Sequence, residues 1–165
     1  FRQYVSPALT VGQTITGTQE ILACCRVSEV SSTNEMFFTV GIRVLASDGS
    51  TVQKTVLVVT RDNTEASASL AGRRMVASST ATNYTTVAGD RLVIEVGMGG
   101  DPGGFGSPDH DSSMRLGSSA ASDLTVDDET NDYNPWVQLT DTLPFVVAET
   151  TKGYAYVGSL ALATP

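Results

Sequence analysis

The chain has 165 residues, of which 41% are hydrophobic and only 17% are charged, and its formal net charge at pH 7 is −8. This length is typical of a single domain with a sizeable core, and the hydroxyl-rich, charge-poor composition is typical of a β protein. The acidity disfavours binding to nucleic acid or to an anionic membrane, because the ten basic residues are scattered along the chain. No apolar run approaches the roughly 18 residues of a membrane-spanning helix.

The two cysteines, Cys24 and Cys25, are adjacent in the sequence. Neighbouring residues of a strand point to opposite faces, so a disulfide between them would be strained. We therefore expect two small buried apolar side chains, one on each face of a strand. The sequence gives no support for a disulfide-stapled secreted fold.

The chain divides into three predicted parts. Residues 1–19 are rich in Thr, Gly and Gln, and they predict an extended arm or an edge strand, the strand lying over residues 8–16. Residues 20–147 predict the main β-sandwich domain. Residues 148–165 predict a C-terminal strand or arm.

The first half of the domain predicts three strands. Residues 20–27 are almost continuously apolar, which is typical of a strand covered on both faces. Residues 51–60 place Val52, Val56 and Val58 on one face. Residues 35–46 form the clearest strand in this half, because alternate positions are apolar: Met36, Phe38, Val40, Ile42 and Val44.

The loop Ser47-Asp48-Gly49 predicts a hairpin between the strands at residues 35–46 and 51–60. A two-residue Asp-Gly turn would oppose mismatched core positions, whereas a three-residue loop aligns them and places Gly49 at the left-handed bulge position. We therefore expect the register of the three-residue loop, with Val44 opposite Val52, Val40 opposite Val56 and Phe38 opposite Val58.

Residues 88–97 are the stretch around which the rest of the domain is organised. A turn opens it, a glycine closes it, and Leu92, Ile94 and Val96 share one face of the strand between them. Before it, residues 72–77 predict another strand. Residues 64–70 suit either an alternating strand or a short helical turn.

The second half of the domain predicts a long exposed loop followed by short strands. The loop covers residues 97–113, which are rich in glycine and contain two prolines. Strand candidates follow at residues 113–116, 134–139, 143–147 and 153–162, and an acidic stretch lies at residues 123–132. With about eight to ten short strands and no sustained helical period, the sequence predicts an all-β, antiparallel β-sandwich, most simply jelly-roll-like.

Two motifs with a chemical interpretation are weak. His110, the only histidine, lies between two aspartates, but a structural zinc site needs four ligands and no nucleophile motif accompanies it. Residues 97–104 resemble a phosphate-binding loop only superficially, because no Lys-Ser/Thr and no helix follow. We expect a solvated histidine and an ordinary loop.

Two acidic features are also better explained without a site. Residues 123–132 lack the Asp-x-Asp-x-Asp-Gly spacing of a calcium loop, so a solvated acidic loop is favoured. Glu95 stands on a strand where a glycosidase carboxylate or a sugar-binding residue would fit, but a solvent-facing residue is the commoner case. We therefore predict no catalytic residue, no metal and no cofactor.

Several segments form an ordered set that resembles β-sandwich virion proteins of tailed bacteriophages and related elements. The resemblance is best over residues 88–139. The segments that carry it are Gly89-Asp90-Arg91-Leu92-Val93-Ile94-Glu95-Val96-Gly97, Met114-Arg115-Leu116-Gly117, Asp123-Leu124, Asp127-Asp128-Glu129-Thr130 and Asn134-Pro135-Trp136-Val137. The chain after Phe145 departs from the pattern. The resemblance implies a jelly-roll-like virion component such as a capsid decoration (cement) protein, commonly a trimer.

We therefore expect a non-enzymatic decoration protein on the capsid exterior, a homotrimer that binds the major capsid protein across its subunits and stabilises the shell. Neither nucleic acid nor a membrane is an expected partner. The alternative is a carbohydrate-binding or host-recognition domain of a tail fibre or adhesin. The candidate residues for interface or glycan contact are the aromatic residues Tyr84, Phe105, Tyr133, Tyr154 and Tyr156.

Overall fold

A computed structural model of the chain describes residues 1–30, 35–100, 111–115 and 136–146. Among these residues the secondary structure is entirely β, and no described helix is long and apolar enough to cross a membrane. The strands are β1 Arg2–Ala8, β2 Thr14–Ile15, β3 Thr18–Glu29, β4 Met36–Leu45, β5 Val52–Glu65, β6 Ala71–Thr80, β7 Tyr84–Thr85, β8 Arg91–Gly100, β9 Ser112–Arg115 and β10 Trp136–Leu139.

The strands form two larger antiparallel sheets and one small pair. The first sheet has the order β1-β8-β4-β5, and the second has the order β10-β3-β6, with β9 also pairing with β3. The small pair joins β2 to β7. The two larger sheets pack face to face around one hydrophobic core, which confirms the predicted β-sandwich. Jelly-roll winding stays a prediction.

The centre of the first sheet is the pair of strands that the alternation predicts most clearly. Val40 lies opposite Val96 and Ile42 opposite Ile94, so that both strands present their apolar positions to the same core. The predicted inward face of β4 is confirmed, because all five of its residues are buried: Met36, Phe38, Val40, Ile42 and Val44.

Strand β3 is covered on both faces, as its apolar run predicts. Cys24 and Cys25 are both buried and neither forms a disulfide. Burial raises the pKa of the Cys25 thiol to about 12, with a further contribution from Cys24. The two cysteines therefore behave as small apolar residues, one on each face of the strand.

The predicted edge strand near the N-terminus lies earlier than expected. It is β1, not residues 8–16, and it pairs antiparallel with β8. The side chains explain the difference: Tyr4 packs against the core, and the Ser6 hydroxyl accepts a hydrogen bond of 2.9 Å from the Leu92 amide. The chain then turns at Gly12, whose φ is +79°, a conformation that favours glycine.

The predicted register of the β4–β5 hairpin is wrong. Leu45 lies opposite Val52 and Ile42 opposite Leu57, and the ladder shifts at several points along the two strands. These bulges bury consecutive residues of β5 and leave Val58, a predicted core residue, 68% exposed. The left-handed position of Gly49 is confirmed, with φ of +71°.

Three further boundaries differ from the predictions. Strand β8 continues through Gly100, so residues 97–100 belong to the strand and not to the predicted loop. Residues 66–70 form neither the predicted strand nor a helical turn. Residues 143–146 form only one isolated bridge, between Leu9 and Phe145. The strands predicted at 72–77, 113–116 and 134–139 correspond to β6, β9 and β10.

Candidate functional site

The outer face of the first sheet, which points away from the core, is the candidate functional site. Opposed residues of an antiparallel pair share a face, so the register identifies the residues that lie on it. Alternation along each strand extends the assignment from β1 across β8 and β4 to β5. We define this outer face by Phe1, Phe37, Gly41, Glu95, Gly97 and Val59.

At two positions of the outer face, the residue is a glycine and the backbone of the sheet is not covered by a side chain of its own. A Cβ atom on Gly97 would lie 2.5 Å from Cδ1 of Phe1, and one on Gly41 would lie 3.0 Å from Cγ2 of Val59. The absence of side chains at these two positions therefore lets Phe1 and Val59 pack directly on the backbone of the sheet. The exposed Phe1 ring therefore lies over the backbone of β8 at the N-terminal end of β1.

Two polar interactions order the middle of the outer face. Glu95 forms an ion pair with Arg43, and its Oε1 accepts a hydrogen bond of 2.5 Å from Nε2 of Gln3. These contacts link β1, β8 and β4, which is a structural use of Glu95. Beside them, the guanidinium carbon of Arg61 lies 4.2 Å from the centre of the Phe37 ring, which is a cation–π distance.

Apolar side chains project from the same face. Phe1 is 71% exposed, Val5 is 55% exposed and Val59 is 56% exposed. Val5 lies opposite Val93, and the Arg43–Glu95 ion pair lies on the same face, so the face combines apolar and charged groups as protein–protein interfaces do. Because a rigid sheet holds these groups, binding through them would require little ordering of the protein.

The two edges of the first sheet differ. Beside β5 lie strand β6 of the second sheet and the segment that follows it. Arg73 of β6 bonds Asp62 at 2.7 Å, and Nζ of Lys54 donates to Oγ1 of Thr82, just after β6, at 2.7 Å. Strand β1 pairs with β8 on one side. On its other side, the Val146 amide donates a hydrogen bond of 2.7 Å to the Ala8 carbonyl, next to the bridge between Leu9 and Phe145.

Tyr84, a predicted interface or glycan contact, is half-buried and forms a hydrogen bond within the fold, and its predicted role stays a prediction. Its hydroxyl donates a hydrogen bond of 2.7 Å to Oδ2 of the fully buried Asp90, which also accepts one of 2.8 Å from the Val87 amide. Burial, followed by the Asp90 carboxylate, raises the pKa of Tyr84 to about 12. The other aromatic candidates, Phe105, Tyr133, Tyr154 and Tyr156, lie outside the described residues.

In the described ranges, no group of three or more His, Cys, Asp or Glu side chains could hold a metal ion. His110 and the acidic stretch 123–132 lie outside these ranges. Sequence reasoning missed the outer face of the first sheet, and in particular Phe1 and the Phe37–Arg61 contact. One signal in the sequence could have indicated this face: Gly97 and Gly99 continue the two-residue alternation of β8.

Comparison with known proteins adds no identification: no family model, no curated protein and no solved structure matches this chain.

Proposed function

We propose that this chain is a non-enzymatic structural protein that assembles with other subunits through the outer face of the first sheet. The observation that carries the proposal is the exposure of Phe1, Val5 and Val59 around an ordered charge network. Large apolar groups held on a rigid sheet beside fixed charges favour a protein partner over a small substrate.

The proposed setting is the exterior of a tailed-phage capsid. In this setting the protein is a jelly-roll-like decoration protein that forms a homotrimer and binds the major capsid protein across its subunits. The support for this setting is the resemblance of the segments between residues 88 and 139 to phage virion proteins. The energy of such a contact comes from interface area rather than from a pocket, which agrees with a flat sheet face.

The test has two parts. The first is the native mass of the isolated protein by light scattering, for which we expect a trimer. The second compares shells of the cognate major capsid protein with and without the added chain, during heating and at low salt. We expect the chain to bind the shells and to raise their disassembly temperature. A monomer that leaves the shells unchanged would contradict the proposal.

A matched pair of variants connects this outcome to the outer face. Val5→Ser and Val59→Ser together remove exposed methyl groups from the face and should weaken shell binding. Val87→Ser removes a valine that is 50% exposed in the turn before β8, and it should leave binding unchanged. Equal loss in both variants would point to another surface. Binding to a glycan array in place of capsid shells would favour the tail-fibre alternative.

A further inference from the structure

The outer face of the second sheet carries a cluster of basic side chains in a chain of net charge −8. Strand β3 runs through its middle, where Cys24 is paired with Arg74 of β6 on one side and with Trp136 of β10 on the other. Two residues further along β3, Arg26 is paired with Arg115 of β9. We call Arg26, Arg74, Arg115 and Trp136 the arginine face.

The direction of these side chains follows from their neighbours. Ala23 and Cys25, on either side of Cys24, belong to the hydrophobic core, and so does Met75, the neighbour of Arg74. Alternate residues of a strand point to opposite faces, so the arginine face points away from the core. Arg115 is exposed on it, and the other three residues are half-buried.

On the arginine face, two buried hydrogen-bond donors have no acceptor among the residues that the structure describes. Nε of Arg26 and Nε1 of Trp136 are both buried without a hydrogen-bond partner. Within the described ranges, the hydrogen bond of the Arg26 guanidinium is long, 3.5 Å from Nη2 to the Leu70 carbonyl. The two ion pairs given for the described residues, Arg43–Glu95 and Arg73–Asp62, do not include Arg26, Arg74 or Arg115.

This arrangement is unfavourable for the isolated fold. Arg26 and Arg115 are directly opposed on adjacent strands, where like charges repel. A buried donor without a partner adds a second cost, because it has lost its hydrogen bonds to water. A ligand that supplies anionic oxygen atoms would relieve both costs at once, because a carboxylate accepts two parallel hydrogen bonds from a guanidinium.

The charge of the whole chain narrows the class of ligand. A net charge of −8 repels polymers of high charge density such as nucleic acid, whereas short-range hydrogen bonds still hold two or three carboxylates. Successive rows of the sheet are separated by two residues, about 7 Å. Carboxylates at alternate positions of an extended peptide have the same spacing.

We propose that the arginine face binds an acidic segment of a partner protein, extended along the sheet with carboxylates at alternate positions. Arg26, Arg74 and Arg115 bind the carboxylates, and the indole N–H of Trp136 donates to an oxygen of the same segment. This site is separate from the outer face of the first sheet and does not depend on the capsid setting.

The chain supplies its own reporter, because Trp136 is the only tryptophan. The probe is the peptide acetyl-Glu-Thr-Glu-Thr-Glu-amide, titrated into the full chain while the tryptophan emission is recorded. We expect a saturable change in emission whose apparent Kd rises with salt, since the contacts are partly exposed ion pairs. The glutamine analogue of the peptide, which has the same length and no side-chain charge, should leave the emission unchanged.

Variants test whether individual arginines of the arginine face contribute to peptide binding. Arg74→Gln and Arg115→Gln should each weaken peptide binding about fivefold, the effect of one partly exposed ion pair. Arg2→Gln removes an exposed arginine of the first sheet and is the matched control, with no expected change. Circular dichroism of each variant confirms that the fold is kept.

Three outcomes would overturn the proposal. The first is the absence of any response in the unmodified chain. The second is tighter binding of a sulfated oligosaccharide or of single-stranded DNA than of the peptide. The third is peptide binding that appears only after Asp127→Asn and Asp128→Asn, which would identify the chain's own acidic stretch as the occupant.

Discussion

Arg73 of β6 donates two hydrogen bonds to Oδ2 of Asp62 in β5, from Nε at 3.2 Å and from Nη2 at 2.7 Å. Both side chains are mostly buried, with 18% and 10% of their surface exposed. β6 belongs to the second sheet and β5 to the first, so this pair ties the two layers of the sandwich together along the side where their edge strands meet.

Removal of either partner of this pair should destabilise the fold. In Arg73→Ala, the Asp62 carboxylate stays mostly buried without its donors, and we expect the free energy of unfolding to fall by about 2 kcal/mol. Urea denaturation measures this change. The double variant with Asp62→Ala should lose less than the sum of the single losses, and strict additivity would show that the pair does not act as a unit.

The effect of alanine at a glycine position should depend on what the new Cβ meets. At Gly17 it would lie 2.1 Å from the carbonyl oxygen of Ala81, a backbone atom in the segment that follows β6 and therefore one that moves only with the main chain. At Gly97 it would meet the exposed ring of Phe1, which is free to rotate away. We expect Gly17→Ala to reduce the free energy of unfolding by about 3 kcal/mol and Gly97→Ala by less than about 1 kcal/mol.

Thermal and urea unfolding of the two variants side by side provide the measurement, and each serves as the control for the other. Similar losses would mean that the backbone around Gly17 adjusts as easily as a surface ring does. A larger loss of unfolding free energy in Gly97→Ala would show that the packing of Phe1 on Gly97 stabilises the sheet more than the exposure of Phe1 indicates.

The parts of the fold that were predictable are those in which one face is buried and the period is regular. β4 and β8 follow strict alternation, and their central pairing buries Val40 against Val96. The register of β5 was not predictable, because the ladder shifts at several points along the strands and the residues of the hairpin loop do not mark those points. Residues 97–100 were predicted as loop because glycine usually interrupts strands, whereas here Gly97 leaves room for Phe1.

The two outer faces were still less predictable from the sequence. Arg26, Arg74 and Arg115 are far apart in the chain, and only the pairing of β3 with β6 and β9 brings them to one face. A count of basic residues along the chain therefore shows them as scattered. The buried N–H groups of Arg26 and Trp136 are likewise a property of the assembled sheet.

Asp48 should make the β4–β5 hairpin sensitive to acid. Its Oδ1 accepts hydrogen bonds from the amides of Ser50 and Thr51, and Thr51 Oγ1 donates to its Oδ2. The hydrogen bonds from Thr51, and then that from Ser50, lower the pKa of Asp48 to about 2. Because the folded pKa is depressed, this stabilisation is complete above the ordinary value of 3.8 and is lost as the pH falls through about 2.

The measurement for Asp48 is the free energy of unfolding from pH 7 to pH 2, in the unmodified chain and in Asp48→Ala. The variant should be less stable at pH 7, and the difference between the two proteins should shrink as the pH falls from about 4 to about 2. A difference that stays constant over this range would show that the side chain acts through its shape and not through its charge.

Glu65 should have the opposite pH dependence. Burial, followed by the neighbouring Glu29, raises its pKa above 4.5, so the protonated form is favoured in the folded chain. Its contribution to stability is therefore complete below pH 4.5 and is lost as the pH rises through the raised pKa. Since Glu65 lies at the surface, solvent screens the effect and we expect it to be small.

Glu65→Gln keeps the shape and the hydrogen-bonding capacity of the side chain while it removes the charge. We expect the variant to be slightly more stable than the unmodified chain at pH 7 and indistinguishable from it at pH 4, as measured by urea unfolding at both values. Glu20→Gln, at an exposed position on the other sheet, is the matched control and should leave the stability unchanged at both values. A Glu65→Gln variant that is less stable at pH 7 would mean that the carboxylate stabilises the end of β5 in its charged form, against the repulsion from Glu29.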